Sequence, residues 1–422
     1  MKIPSLGMVA STALLGITLS AQAVEISIAC GSVGDEVLLC QKHTDNWAKK
    51  TGNTVRIVDM PVLVNDQLAL HQLESKNQST LADVIQIDVI WPGLLADDLI
   101  DLSSYVDEST LKQHFKAIVE ANTVKGRLVG IPWFTDLGIL FYRKDLLKKY
   151  ELPVPTRWAE LAAIAKTIQE AERQNGNPNI WGFVWQGKAY EGLTCNALEW
   201  IASYGGGTIV NEHWQSTVYN PQAIKAINNA AKWIGSISPP EVLKYAEEET
   251  REKIFEKGNA VFMRHWPRTW ALSQKVEILK DKVGVTMLPK GGASGQHAST
   301  LGGWQLSVSK YSKHQEIAID LVLYLTSQEV QKKRAIEGSY LPTIKALYQD
   351  QEVLNKVPFF SQLEGILENN TMVARPSKVT GKQYDTVSRN FWSAVHSVLS
   401  GRANARDSLK RLSRKLRKIK QP

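Results

Sequence analysis

Tryptophan stands beside charged residues or glycine at four points along the chain, which contains 13 tryptophans in all. These points are residues 88–93, 133–136, 265–268 and 302–304. A single tryptophan is more often a core residue than a binding surface, because its large apolar ring favours burial. An indole ring beside a carboxylate or a guanidinium, however, combines an apolar plate with a strong hydrogen-bonding group. That combination suits a small ligand with both C–H faces and hydroxyl groups, such as a sugar.

The sequence contains none of the short motifs that mark common enzyme reaction centres. It has no phosphate-binding loop, no Gly-x-Gly-x-x-Gly, no Gly-x-Ser-x-Gly and no His-Glu-x-x-His. Its 3 cysteines are scattered and its 8 histidines dispersed, so we expect neither a metal site nor a cofactor. A glycosidase needs only two carboxylates, whose spacing in sequence is free, and a secreted glycoside hydrolase therefore stays open as an alternative.

The N-terminal part of the chain alternates strand and helix patterns. Strands are predicted at residues 24–29, 54–58 and 83–90, where apolar residues alternate or run together. Helices are predicted between them, at 36–50 and 65–76. The order strand–helix–strand–helix–strand predicts a parallel α/β sheet. Open sheets of this kind bind ligands beyond the carboxyl ends of their strands, which is where the first tryptophan segment falls.

The rest of the chain gives less regular signals. A hairpin or edge strand is expected at residues 125–132, near a domain boundary. The further expected elements are a helix capped by Thr156, a helix capped by Asn220 with Pro221 in its first turn, a helix over about 248–257 that ends at Gly258, strands over 260–263, 282–289 and 305–309, and mainly helix after residue 315.

The first residues have the pattern of an export signal. Lys2 precedes an apolar stretch over residues 6–19 and a small-x-small site that ends at Ala23. We therefore predict a signal peptide over residues 1–23, cleaved after Ala23, and a periplasmic protein. A lipoprotein signal ending at Cys30 is the alternative, which Ser27 disfavours because serine is a poor residue three places before a lipid-modified cysteine.

The net charge of +8 belongs to one end of the chain. Residues 402–420 hold nine Lys or Arg and a single acid, Asp407, and the remainder is balanced. The basic character is thus that of a tail, and we expect no nucleic-acid partner. Leu409, Leu412 and Leu416 recur there at helical spacing, which predicts a terminal helix packed on the body. Attraction of this tail to anionic lipid or to an acidic partner is the alternative.

Export makes disulfides permissible. Cys30 and Cys40 lie at the end of the first predicted strand and in the first predicted helix, so a bond between them would tie these two elements together. We predict that Cys30 and Cys40 are bonded and that Cys195 is a buried free thiol.

Six segments carry a resemblance to a known family. They are ACGSVGDE at 29–36, QIDVIWPG at 86–93, LFYRKD at 140–145, WGFVWQGKAYEGL at 181–193, TLGGW at 300–304 and ARP at 374–376. In this order, from about residue 28 to 409, the chain resembles the extracellular solute-binding proteins of carbohydrate ABC importers, and most closely the trehalose/maltose-binding proteins.

The resemblance implies a two-lobed α/β fold with the ligand in a cleft between the lobes and a hinge that the chain crosses more than once. A chain of about 400 residues without a linker fits two lobes of this kind. The implied first lobe comprises residues 24–133 and about 308–352, and the second comprises 137–305 and about 356–422. The implied function is non-catalytic: a monomer that captures a small glucoside, such as trehalose or maltose, and delivers it to membrane permease subunits. A sugar sensor or chemoreceptor ligand-binding protein is the remaining alternative.

The resemblance also implies the binding residues. The hydroxyl-binding residues would be Glu36, Asp88, Asp136 and Arg375, the stacking residues Trp266 and Trp304, the close backbone approach Gly303, and the further contacts Tyr190 and Glu191. This chain departs from the family pattern at three positions. It has Gln67 where the relatives have an arginine, Phe134 where they have a tyrosine and Arg268 where they have an aromatic residue. Gln67 is retained as a candidate contact, and the three departures bear on which disaccharide is bound.

Overall fold

The structure is a computed structural model that describes residues 23–419 except 33, 80, 293 and 369–371. The predicted signal peptide, apart from its last residue, and residues 420–422 lie outside the described part. Within the described part, no helix is both long enough and apolar enough to cross a membrane.

Strands and helices alternate through most of the chain. The strands are β1 (Glu25–Ala29), β2 (Thr54–Ile57), β3 (Val84–Asp88), β4 (Thr123–Val124), β5 (Arg127–Leu128), β6 (Ile131–Leu137), β7 (Ile139–Arg143), β8 (Trp181–Val184), β9 (Ala260–His265), β10 (Val283–Met287) and β11 (Leu301–Val308). The helices before β9 are α1 (Gly34–Thr51), α2 (Val64–Lys76), α3 (Pro92–Leu95), α4 (Glu108–Gln113), α5 (Lys116–Ala121), α6 (Lys144–Lys149), α7 (Trp158–Gln174), α8 (Glu191–Ser203), α9 (Pro221–Trp233) and α10 (Glu247–Thr250). Those after β9 are α11 (Thr269–Gln274), α12 (Gln315–Thr326), α13 (Gln328–Gly338), α14 (Gln351–Lys356), α15 (Glu364–Glu368), α16 (Ser377–Thr380), α17 (Tyr384–Leu399) and α18 (Ala405–Leu416).

Two sheets form the centres of two lobes. The sheet of the first lobe has the order β2-β1-β3-β11-β6, in which β1, β2 and β3 are parallel, as the sequence predicts, and β11 is antiparallel to both neighbours. The sheet of the second lobe has the order β10-β7-β9-β8. Every residue of β3 is buried, because helices cover both faces of the sheet around it. The two-lobed α/β fold is therefore confirmed.

The chain passes between the sheets at three places in the described part. Gly138 separates β6 from β7, and Thr300 precedes β11. The third crossing runs from Ile344, which is bridged to His114 of the first lobe, to Phe359, whose ring lies 5.4 Å from that of Trp270 in the second.

The expected lobe boundary at residues 305–308 falls inside β11, which pairs with β6 from Leu301 onward. The sequence pattern begins this strand too late because Gly302 and Gly303 lower its apparent strand propensity. Strand pairing therefore assigns all of β11 to the first lobe, with the crossing at Thr300.

Gly138 is required by a buried ion pair at the hinge. A Cβ atom at this position would lie 2.0 Å from the Oε1 atom of Glu199. Glu199 accepts a hydrogen bond of 2.9 Å from the Nε atom of Arg264, and it also accepts the backbone N–H of Thr300 at 3.2 Å. The two chain crossings at Gly138 and Thr300 thus lie against one buried carboxylate, that of Glu199.

Local capping signals were read correctly at some helices and not at others. Asn220 caps α9 by accepting the N–H of Ala223 at 2.8 Å, as predicted. The prediction of Thr156 as the N-cap of α7 was wrong, because the helix begins at Trp158 and Arg157 is its N-cap. The N–H of Thr156 instead donates to the Glu160 carboxylate at 2.9 Å. The helix expected over 248–257 is divided into α10 and a π-helical turn over Arg251–Phe255.

The basic tail forms α18, which packs on the second lobe. Leu409, Leu412 and Leu416 are buried and Ile419 is partly buried, so the apolar stripe predicted the packing correctly. The opposite face of the helix presents its lysines and arginines to solvent.

The structure contains a disulfide between Cys30 and Cys40, whose Cα atoms are 6.3 Å apart, and Cys195 is free and buried. Burial raises the pKa of the Cys195 thiol to about 12, so we expect it to be unreactive in the native state. Thiol-specific labelling without reductant should therefore give no modified cysteine in native protein and a single one after denaturation. Labelling of all three cysteines in denatured, unreduced protein would show that the bond is absent.

Candidate functional site

A cavity of about 300 Å³ lies between the two sheets. All ten residues for which a ligand contact was expected line it: Glu36, Gln67, Asp88, Asp136, Tyr190, Glu191, Trp266, Gly303, Trp304 and Arg375. They come from both lobes, so the cavity exists only where the lobes face each other. The cavity also lies beyond the ends of β3 and β8, the position at which open α/β sheets bind ligands.

The end of the first sheet forms one wall. Trp304 in β11 is paired with Asp88 of β3 on one side and with Phe134 of β6 on the other, and the register shifts after Trp304. Gly303 has a φ of 122°, and a Cβ atom there would lie 2.7 Å from the carbonyl oxygen of Phe134. Glycine is therefore needed at this position to let β11 approach β6 where the cavity begins.

Arg375 joins two carboxylates from different lobes. Its Nη2 atom donates to Asp88 at 2.9 Å and its Nη1 atom donates to Glu191 at 3.0 Å, and all three side chains are buried. The Nε atom of Arg375 has no hydrogen-bond partner among the described residues. The guanidinium thus bridges the two lobes, and its Nε–H group is still unused among the described residues.

Glu191 has its hydrogen-bonding capacity largely filled. Besides Arg375 it accepts hydrogen bonds from the hydroxyl of Tyr384 and, at 2.6 Å, from that of Ser388. Burial raises the pKa of Glu191, and the positive charge of Arg375 opposes this rise. The same two causes act on Asp88, whose pKa is also raised. Glu191 and Asp88 therefore hold Arg375 in position as well as bordering the cavity.

Asp136 is different, because it receives no hydrogen bond from the described residues. Burial raises the pKa of Asp136 well above its usual value; Arg268 opposes the rise, while Glu247 and Glu36 add to it. A buried carboxylate without a donor is costly for the empty protein. The same carboxylate is available to accept hydrogen bonds from a ligand.

Asp136→Asn is expected to raise the free energy of unfolding of the ligand-free protein by about 1–3 kcal/mol at neutral pH. The asparagine side chain has a similar shape but removes the buried unpaired charge. A carboxyl whose pKa is higher in the folded than in the unfolded protein makes the protein less stable as pH rises from the unfolded pKa, about 4, through the folded pKa. The advantage of the variant should therefore shrink as pH falls, because the native acid then becomes protonated. Urea unfolding across pH measures it, with the exposed Asp59→Asn as control; an equal effect at all pH values would contradict the explanation.

Two tryptophans, Trp266 and Trp304, contribute large aromatic rings to the wall of the cavity. The ring of Trp266 is stacked on the guanidinium of Arg264, 3.9 Å from the ring centroid. Trp304 packs edge-to-face on Trp91, with ring centroids 5.5 Å apart. Both rings are therefore held in fixed orientations by neighbours outside the cavity, as a stacking surface requires.

Behind Phe134 lies a buried cation. The guanidinium carbon of Arg334 is 3.8 Å from the ring centroid of Trp133, 4.3 Å from that of Tyr340 and 5.2 Å from that of Phe134. None of its three nitrogens has a hydrogen-bond partner among the described residues. Cation–π contacts with these rings thus fix the back of the aromatic wall.

Two of the expected contact residues have side-chain polar atoms without hydrogen-bond partners among the described residues. Gln67 donates through Nε2 to the carbonyl of Pro61 at 2.8 Å, which leaves its side-chain oxygen without a partner among the described residues. The hydroxyl of Tyr190 is buried and has no partner in the described part of the chain. Tyr190 therefore offers a ligand an unused donor and acceptor.

Sequence reasoning missed several charged residues of the second lobe that line the cavity, namely Lys188, Glu247, Glu248 and Glu249. The three glutamates form the first turn of α10, and an acidic run at the start of a helix is usually exposed. Arg268, noted only as a departure, lines the cavity as well and is paired with Glu248. Lys188 lies in the segment 181–193, which was the available signal for it.

Comparisons with known proteins agree with this geometry. The family described as "Bacterial extracellular solute-binding protein" matches residues 39–332. A "probable ABC transporter-binding protein" of Deinococcus radiodurans is 47% identical over 416 residues, which cover 97% of this chain and 98% of that protein. A galactooligosaccharide-binding protein of Bacillus subtilis is 24% identical, covering 72% of this chain and 69% of the relative. Among solved structures, maltose-bound MalE3 of T. maritima is 37% identical, with a TM-score of 0.87, and covers 94% of this chain and 99% of its own.

Proposed function

Because the chain belongs to the family of bacterial extracellular solute-binding proteins, we propose that it captures a disaccharide of the maltose or trehalose kind and delivers it to an ABC importer. The chain is a carbohydrate-binding protein of an ABC transporter, and such proteins are not enzymes.

The observation that carries the proposal is the combination of two fixed indole rings with unpaired polar groups in one interlobe cavity. Its volume of about 300 Å³ is at the lower end for small-ligand sites, which suits a ligand of two sugar rings better than a long oligosaccharide. The maltose-bound relative at 37% identity adds support for a glucoside.

In this proposal each group in the cavity has a chemical role. Trp266 and Trp304 stack on the C–H faces of the two sugar rings, and Asp136 and Glu36 accept hydrogen bonds from hydroxyls. Glu36 is suited to this because its one side-chain hydrogen-bond partner among the described residues, the Nε2 atom of Gln86, is 3.3 Å away and leaves capacity for more bonds. Asp88, Arg375 and Glu191 contribute further polar contacts, as do the free side-chain oxygen of Gln67 and the hydroxyl of Tyr190. The backbone of Gly303 approaches the sugar closely.

Calorimetry with maltose and trehalose tests the proposal, with mannitol and ribitol as matched polyols that lack a sugar ring. We expect saturable 1:1 binding of at least one disaccharide and binding at least about tenfold weaker for the polyols, because an open chain cannot stack on both indoles. The bound sugar should be recovered intact by chromatography. Preference for a polyol, or recovery of hydrolysed sugar, would overturn the proposal.

Export and assembly complete the proposal. The family is extracellular or periplasmic, and we infer cleavage after Ala23, a monomeric mature protein and no nucleic-acid partner. The intact mass of the exported protein tests the cleavage site, and sedimentation tests the monomer. A mass that corresponds to a lipid-modified Cys30 would contradict the inferred cleavage.

A further inference from the structure

A second cavity of about 210 Å³ lies beside the first and also between the lobes. Leu39 and Lys42 of α1 and Glu337 at the end of α13 line it from the first lobe. Leu272 and Lys275 line it from the second lobe, at α11 and its C-terminal end. Lys275 is paired with Asp35 of α1 at 2.6 Å, which closes one side.

Arg268 is the one residue that lines both cavities as the described residues define them. Its guanidinium is paired with Glu248 and lies 3.9 Å from Glu247, both on α10. Glu248 in turn binds Arg251, so the carboxylate that holds Arg268 is itself fixed. Only 13% of the Arg268 side chain is exposed. Arg268 is therefore a firmly held, largely buried side chain and not a mobile surface arginine.

The second cavity has the chemistry of a sugar subsite. Lys42 and Glu337 form an ion pair at 2.7 Å on its wall, and Lys42 can donate and Glu337 accept further hydrogen bonds. Tyr340 adds an aromatic ring, and Leu39 and Leu272 add apolar surface. Charged groups with an aromatic ring and apolar side chains match the C–H and hydroxyl surfaces of one hexose unit.

We propose that Arg268 is the partition that limits the ligand to two sugar rings, and that the cavity behind it accepts a third ring when the arginine is shortened. The proposal rests on the proposed function, since it concerns the length of the sugar held in the first cavity. It goes beyond that function by naming the residue that sets the length.

Titration of maltose and maltotriose into the wild-type protein, Arg268→Ala and Arg268→Met tests this. The wild type should prefer maltose by about tenfold or more, the scale of exclusion by a tightly bounded small site. Arg268→Ala removes the partition and should lower the maltose-to-maltotriose affinity ratio by about tenfold or more. Arg268→Met keeps a side chain of similar length without the charge and should retain the preference. Both variants lose the charge beside Asp136, so a common drop in maltose affinity cancels in the ratio.

Three outcomes decide the matter. Equal affinity of the wild type for the two sugars overturns the partition without any variant being needed. An unchanged ratio in Arg268→Ala, with a ligand-free melting temperature close to that of the wild type, overturns it as well. A wild type that binds neither maltose nor maltotriose overturns this inference, and it rejects the proposed function as well if trehalose also fails to bind. Maltose binding with an unaltered ratio rejects the inference alone. Glu248 keeps Arg251 as a partner in both variants, so we expect them to fold.

Discussion

Replacing Trp304 or Trp266 by alanine is expected to weaken disaccharide binding by about 30- to 1000-fold while the ligand-free protein stays folded. Removal of an aromatic anchor from a small, dry site costs about 2–4 kcal/mol of binding free energy, which corresponds to that range. Both rings line the cavity, and each is held from outside it, Trp304 by Trp91 and Trp266 by Arg264. The melting temperature without ligand and the dissociation constant for the best disaccharide are the two measurements.

Two further variants make the comparison sharp. Trp304→Phe keeps a stacking ring and should retain more affinity than the alanine variant. Trp200→Ala removes a ring that is 1% exposed and packs on Trp185 at 4.9 Å, so it should lower the melting temperature strongly. If Trp304→Ala and Trp266→Ala behave like Trp200→Ala, both rings are core residues and the stacking role is wrong. The role is equally wrong if neither variant alters affinity.

Arg375→Met is expected to lower the free energy of unfolding by about 3–5 kcal/mol, because it leaves Asp88 and Glu191 buried without a cation. Loss of the guanidinium, whose charge opposes the effect of burial, raises the folded pKa values of the two carboxylates further. A raised carboxyl pKa removes stability as pH rises, so the deficit of the variant should become smaller as pH falls. Urea unfolding at several pH values measures both the size and the pH dependence of the loss. Sugar affinity should fall as well, because the polar contact from Arg375 is gone.

Lys382→Met provides the matched control for Arg375→Met. Lys382 pairs with Asp97 at 2.6 Å, but both side chains are 68% exposed, so solvent screens the pair and its loss should be within about 1 kcal/mol. Arg375→Lys keeps the charge but cannot reach both carboxylates as a fork, and its stability should lie between those of the wild type and the methionine variant. If Arg375→Met is as stable as Lys382→Met, the buried ion pairs of Arg375 with Asp88 and Glu191 make no net contribution to stability.

The elements that the sequence predicted well are those encoded in short windows. The order from β1 to β3 follows from apolar alternation and from the helix patterns between the strands. The cap and proline at the start of α9 and the leucine stripe of α18 likewise depend on residues only a few positions apart. Elements whose signal is weak in a short window were placed less well, as at the glycine-rich start of β11 and the divided helix after Glu247.

Ten of the residues that line the cavity were identified through the resemblance, and their hydrogen-bond and ion-pair partners were not. Arg375 meets Asp88 across 287 positions and Glu191 across 184, and no local pattern indicates that one guanidinium serves both. The acids at the start of α10 carry no local sign of a site, yet Glu248 pairs with Arg268, which lines both cavities. Gly138 reads as an ordinary glycine, although the Glu199 carboxylate leaves no room for a side chain there.

The sequence by itself determined the strand and helix order, the packing face of the basic tail and which residue types were available for a sugar. The tertiary structure alone decided which charges face each other, which carboxylate remains unpaired and where one cavity ends and the next begins. The physical reason is range. Periodicity and capping act over one or two helical turns, whereas burial and Coulomb interactions depend on distances that are set only when the two lobes come together.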